Sequence, residues 1–106
     1  MELSKNYISV YYIGLNEKDT HKQKYNFNTY LKILNSILLD DDVTSYTITK
    51  TIGFYRGEKE NTIRLELLND CLSSKAIENI KEVLNQECIM DITIPLYKSE
   101  LGLFRQ

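Results

Sequence analysis

Six segments with distinct hydrophobic spacings follow one another in an order that few folds accommodate. Residues 6–14 are β-branched and aromatic and stop at Gly14, and residues 44–55, 61–68 and 88–97 each alternate between two kinds of side chain. A period of two marks a strand with two different faces. Between the first two strands the apolar positions fall at Phe27, Tyr30, Leu31, Leu34, Ile37 and Leu38; between the last two they fall at Ala76, Ile77, Ile80, Val83 and Leu84. Spacings of three and four lay one apolar stripe along a helix. Asn26 or Asn28 can cap the first helix and Ser73 or Ser74 the second, because their side-chain oxygens accept from N–H groups that a first helical turn leaves unpaired. The run Asp40-Asp41-Asp42 is disfavoured at the negative end of a helix dipole, so the first helix is expected to stop by Leu39 and the aspartates to form a solvated turn.

The order β-α-β-β-α-β, with helices long enough to cross over, predicts an α+β fold of the ferredoxin-like sandwich type. Right-handed crossovers give a four-stranded antiparallel sheet of order 4-1-3-2 with both helices on one face. The polar turn at residues 56–59 joins the middle strands as a hairpin. Pro95 removes a ladder donor from the last strand and demotes it to an edge, where this order places it. At 106 residues the chain is expected to be one domain, with a core over about residues 6–97 and a C-terminal tail over 98–106.

Charge and motif searches narrow the function. Thirteen basic against fifteen acidic residues give a net charge of −2, which argues against DNA as a partner because phosphate neutralisation needs a basic surface. Phe54-Tyr55-Arg56-Gly57 does not match the aromatic pattern of an RNA-recognition sheet. The apolar runs are too short to span a bilayer, and the N-terminal segment lacks a secretory pattern, so a cytoplasmic location is expected. Cys71 and Cys88 read as reduced, structural thiols. The glycines at 14, 53, 57 and 102 never cluster into a phosphate loop, the aspartate run lacks calcium-loop spacing, and neither a metal nor another cofactor is expected.

The parity of the strands sorts their side chains. Ile8, Val10 and Tyr12, with Ile48, Ile52 and Phe54, Ile63, Leu65 and Leu67, and the set Cys88, Met90, Ile92, Ile94 and Leu96, are assigned to the helix side. The open face then holds Tyr7, Ser9, Tyr11 and Ile13, Thr47, Thr49, Thr51 and Tyr55, Thr62, Arg64 and Glu66, and Asp91 and Thr93. Such a face can pack on a second copy in a homo-oligomer, or bind a ligand whose flat group stacks on Tyr11 or Tyr55 while Arg64 holds an anion. Residues 15–25 form a connection longer than the usual two to six residues and rich in charge. Where that loop approaches the hairpin, the candidate ligand site comprises Tyr11, Lys18, Asp19, His21, Gln23, Tyr55, Glu60, Asn61 and Arg64. The plainer reading is that Asn61, Thr62 and Gln86 only satisfy turn backbone. No catalytic residue is assigned: His21 is a lone histidine in a charged loop, and no two carboxylates are shown by spacing to converge.

Three segments also carry a resemblance: Tyr12-Ile13-Gly14-Leu15-Asn16-Glu17-Lys18-Asp19-Thr20 with Gln23; Gly53-Phe54-Tyr55 followed by Glu60-Asn61-Thr62-Ile63-Arg64; and Leu84-Asn85-Gln86-Glu87. Together they resemble a group of short phage and prophage proteins of Gram-positive bacteria, and more remotely a small bacterial domain of unknown function with the same strand, helix and hairpin order. The group has no activity to carry over. It implies a setting in the host cytoplasm, in which small accessory proteins serve counter-defence by blocking a host immune protein or sequestering a nucleotide messenger. The resulting expectation is a non-enzymatic binding module, homo-oligomeric through its open face, with a host protein or a small nucleotide as ligand. The alternatives are a cofactor-free enzyme of the dimeric ferredoxin-like type, a monooxygenase or isomerase with its cavity between sheet and helices, and a purely structural oligomer.

Overall fold

In the computed structural model, which describes residues 3–97, the periodicities become β1 (Leu3–Gly14), α1 (Phe27–Asp40), β2 (Thr47–Tyr55), β3 (Glu58–Leu68), α2 (Ser74–Val83) and β4 (Met90–Tyr97). The four strands form one antiparallel sheet of order β2-β3-β1-β4. This is the expected ferredoxin-like arrangement, with β4 at an edge and Pro95 opposite Tyr7. The tail over 98–106 lies outside the described residues.

Local chemistry explains the ends of the elements. Asn26 caps α1 by accepting from the Thr29 N–H at 3.0 Å, and Ser73 caps α2 by accepting from the Ala76 N–H at 3.1 Å. β2 and β3 are joined by the two residues Arg56 and Gly57, with φ of 51° and 81°. Positive φ at both central positions is the type I′ geometry whose twist matches that of the flanking strands. The helix α1 runs one residue past the expected stop, and Asp41 is not merely solvated. Its carboxylate accepts from the Ser73 N–H at 3.0 Å and the Ser73 hydroxyl at 2.5 Å, tying the end of α1 to the start of α2.

The core lies between the helices and one sheet face. Tyr11, Ile13, Ile63, Leu65 and Leu67 pack there with Leu34 and Leu38 of α1, and Ala76 and Ile80 of α2. β1 is therefore turned over relative to the expected parity. Its Tyr11 and Ile13 pair with Leu65 and Ile63, so they point to the helices, while Ile8, Val10 and Tyr12 point to the open side. β4 follows, because Met90, Ile92 and Ile94 pair with Tyr12, Val10 and Ile8. These three β4 residues are exposed. Val10, at 0% exposure, is buried on the open side between its neighbours and takes no part in the main core. The physical reason for the reversal is that β1 is apolar or aromatic on both faces, so alternation alone cannot say which side faces the helices.

Tyr11 brings a polar atom into this core. Its ring is buried, and its hydroxyl accepts from the Leu72 N–H at 2.8 Å. Burial is the main cause that raises its phenol above the ordinary value. The sign follows from linkage: the unfolded phenol ionises near pH 10, before the folded one, so stability is complete below that pH and falls as pH rises through the folded value. Tyr11→Phe is expected to cost on the order of 1–3 kcal/mol at neutral pH, because it strands a buried N–H donor. Urea denaturation at neutral and alkaline pH checks both points: the substitution should lower the midpoint at neutral pH and weaken the alkaline fall.

Candidate functional site

The open side of the sheet divides into two parts. Toward β4, Leu68, Ile8, Val10, Ile92, Ile94 and Met90 make an apolar row. Toward the hairpin, Thr47, Thr49, Thr51, Thr62, Arg64, Glu60, Glu58 and Tyr55 make a polar one, with Tyr12 at the boundary. Where the polar part meets the loop after β1, the structure has a cleft of about 580 Å³. Its floor is Tyr12, Gly14, Thr62 and Arg64. Its walls are the hairpin residues Thr51 to Arg56, Glu58 and Glu60, the loop residues Asn16 to Lys18 and His21, and Gln86 to Cys88 with Met90. That volume is within the range of small-molecule and nucleoside sites.

The floor is shaped by a glycine. Glu60 stands two residues from Thr62, the partner of Gly14, and its side chain leans back diagonally. A Cβ built on Gly14 would lie 2.4–2.5 Å from the Glu60 carboxylate. No other residue type leaves room for the carboxylate in that place. Glu60 Oε2 accepts from the Asn16 N–H at 3.1 Å, and among the described residues no Lys, Arg or His pairs with it. A half-buried carboxylate that is held by one amide, faces a cleft and is paired with no cation among the described residues is suited to receive a cation from a ligand. Four residues further along the same face of β3, the Arg64 guanidinium lies 5.8 Å from the Tyr12 ring centroid. Its Nε is buried, forms an ion pair with Glu66 Oε1 at 3.6 Å, and has no hydrogen-bond partner among the described residues. Both signs of charge thus border one aromatic floor.

One rim is tied by Glu87. Its carboxylate accepts from the Tyr55 hydroxyl at 3.0 Å and from Arg56 Nη2 at 3.2 Å, joining the hairpin tip to the connection before β4. The hydrogen bond to Glu87 is the main cause that raises the Tyr55 phenol above its ordinary value. His21, at φ 60°, sets Nδ1 3.3 Å from Glu58 on the same rim.

The loop itself is anchored from three directions. The Tyr30 hydroxyl of α1 accepts from the Lys24 and Tyr25 N–H groups, each at 3.2 Å. The Asn61 side chain donates to Gln23 Oε1 at 2.8 Å, and the Asn85 side chain donates to Asp19 Oδ2 at 2.9 Å. Gln86, buried at the end of α2, donates to the Asn16 carbonyl at 2.9 Å.

Of the residues singled out in the sequence, Lys18, His21, Tyr55, Glu60 and Arg64 border the cleft. Asp19, Gln23 and Asn61 instead fasten the loop, and Tyr11 lies beneath the sheet in the core, so no ligand can stack on it from the open side. Sequence reasoning missed Tyr12, Gly14 and Glu87 as cleft residues. Tyr12 was assigned to the wrong face, and Gly14 was read only as the end of a strand. The turn-satisfying reading of Gln86 fits its bonds to two backbone carbonyls.

The chain matches no family model, and no curated protein matches it. Among solved structures it is similar to a phage SAM lyase in its apo state, with a TM-score of 0.66 and 18% identity over 90% of this chain and 85% of that one. It is similar also to a phage SAM lyase in complex with S-methyl-5′-thioadenosine, with a TM-score of 0.58 and 14% identity over 90% of this chain and 84% of that one. A DUF3240 family protein from Shewanella baltica aligns with a TM-score of 0.56 and 11% identity over 92% of this chain and 96% of that one. At these identities the likeness is one of fold. It nonetheless corrects the expectation of a non-enzymatic module, since the fold is shared with a lyase, an enzyme. The expectation arose because the cleft draws on five separate segments, none of which carries a motif.

Gly14→Ala tests the floor. A Cβ at that position displaces a flexible carboxylate rather than backbone, and alanine reduces the freedom of the unfolded chain. The melting temperature should therefore stay within a few degrees of wild type, while the Asn16 amide resonance shifts as its acceptor is pushed away.

Proposed function

We propose that the chain is a cofactor-free small-molecule enzyme that uses the open-face cleft to cleave S-adenosylmethionine, releasing S-methyl-5′-thioadenosine. The observation that carries this reading is the Glu60 carboxylate seated over Gly14 without a cationic partner among the described residues, in a cleft with an aromatic floor. The fold likeness to phage SAM lyase over nine-tenths of the chain supports it.

The substrate's charges match the cleft in kind. Glu60 receives the α-ammonium of the amino acid arm, a group that stays cationic throughout the reaction. Arg64, which also lines the cleft, faces the carboxylate end of the arm, and Tyr12 or Tyr55 offers a face to the purine. In the reaction the bond between sulfur and the arm's γ-carbon breaks and its electron pair goes to sulfur, leaving a neutral thioether. A lyase adds no water, so the carbon recovers its valence within the substrate, by attack of the arm's own carboxylate on the γ-carbon as the bond to sulfur breaks, which closes a lactone. Positive charge at sulfur disappears along the way. A surrounding of low polarity favours that change, because it destabilises the sulfonium more than the neutral product. The aromatic Tyr12 and the thioether of Met90, which pair across the strands at the cleft, supply such a surrounding. In this reading the alternative of a cavity between sheet and helices has no place, because Tyr11, Ile13 and Leu65 fill that space. In the phage setting that the sequence resemblance implies, such a protein would destroy a nucleoside metabolite rather than sequester it.

Incubating the purified protein with S-adenosylmethionine and separating the products by chromatography tests the proposal. The expected result is S-methyl-5′-thioadenosine above the rate in buffer. Glu60→Gln should lower kcat/KM by about 10- to 150-fold, the worth of a charge-assisted hydrogen bond. Arg64→Ala should act mainly on KM. Absence of both product formation and calorimetric binding of the substrate would overturn the reading.

A further inference from the structure

We infer that Gln86 is a positioning residue for Glu60, acting through the backbone of Asn16. This rests on the reading of the cleft given above, and it assigns a role in ligand recognition to a side chain that approaches the carboxylate only through an intervening residue.

Gln86 is 7% exposed, and its carboxamide nitrogen is spent on two carbonyls, Asn16 at 2.9 Å and Leu84 at 3.2 Å. The backbone N–H of Gln86 is bound to Lys81 at 2.8 Å, so the side chain projects from a fixed point at the end of α2. Its partner Asn16 is held on every side. The preceding residue, Leu15, donates its N–H to Asn61 at 2.9 Å, and the Asn16 side chain donates to the Lys59 carbonyl at 3.4 Å. The remaining group, the Asn16 N–H, points at Glu60 Oε2. Gln86 thus fixes the peptide plane that follows Asn16, β3 fixes the one that precedes Leu15, and between them the N–H facing Glu60 has one direction. On the opposite side Gly14 leaves the carboxylate room. An amide on one side and a missing Cβ on the other define where the carboxylate sits, and the remaining oxygen, Oε1, has no partner among the described residues.

The arrangement accounts for the amide at position 86. A glutamine can donate to two carbonyls at once, whereas an ionised glutamate at that place would put a carboxylate against two carbonyl oxygens. Pre-organised binding groups depend on such supporting contacts, and displacements of about 1 Å at a reacting centre cost up to about 100-fold in rate.

The experiment pairs substitutions at positions 86 and 60. Gln86→Met keeps length and volume while removing both donors, and Gln86→Asn keeps the donor but shortens its reach, in case the first variant does not fold. The Asn16 amide proton is followed by NMR, and kcat/KM for S-adenosylmethionine is measured in parallel. With Gln86 in place, Glu60→Gln should move the Asn16 amide resonance; in the Gln86→Met or Gln86→Asn background the same change should move it far less. In kinetics, the position 86 variant should lose about tenfold in kcat/KM alone and add little to the loss in Glu60→Gln, as expected for residues acting as a unit. An Asn16 resonance that responds to Glu60→Gln equally in both backgrounds overturns the inference, as do kinetic losses that multiply. Absence of turnover in wild type, with the resonance pattern intact, overturns the proposed activity and leaves the positioning role standing.

Discussion

The face that β1 turns toward the helices governs everything on the other side of the sheet. Tyr11 and Ile13 are drawn under α1 and α2 by the area they remove from water, and their cross-strand partners Leu65 and Ile63 are committed with them. Because side chains alternate, this single choice puts Tyr12 and Gly14 on the open side, aligns Arg64 with Tyr12, and leaves Glu60 free to lean over Gly14. A slip of one residue in β1 would expose Tyr11 and Ile13 and bury Tyr12, and one in β3 would bury Arg64 and expose Ile63 and Leu65. The cost of such a slip is what makes the cleft a fixed feature of the chain.

The elements were legible because their physics is local. Asn26 and Ser73 cap where their side chains reach the first free N–H groups, and the edge position of Pro95 follows from a missing donor. The sheet order followed from handedness alone. Facing was not legible for β1 and β4. Residues 7–13 are apolar or aromatic at almost every position, and Met90, Ile92 and Ile94 are as apolar as any core residue although they are exposed. In β3, by contrast, Thr62, Arg64 and Glu66 alternate with Ile63, Leu65 and Leu67, and parity assigned each of them to the side it occupies.

The site was half legible for a similar reason. Polar residues without core duty in the loop and hairpin pointed to the right region, but the sequence could not separate those that face the cleft from those that hold the loop. Asp19, Gln23 and Asn61 look identical in kind to Lys18, Glu60 and Arg64 until their partners are known. Gly14 and Gln86 gave no chemical signal, since their contributions are room and direction. The missing catalytic motif has the same origin: groups that meet only through tertiary structure leave no spacing to read.

The loop after β1 borrows its order. Residues 15–25 contribute Leu15 to the core, and the rest is held by Tyr30 from α1, Asn61 from β3, and Asn85 and Gln86 from the end of α2. A helix end is among the first parts of a protein to fray. Opening of the last turn of α2 and of the residues that follow it would release Lys18, whose N–H donates to the Asn85 carbonyl at 2.9 Å, together with Asp19. It would leave Asn16 with its bonds to β3, while the strand ladders stayed intact. The cleft therefore has a stability of its own, smaller than that of the sheet beneath it, and on warming it would come apart as a unit before the protein unfolds.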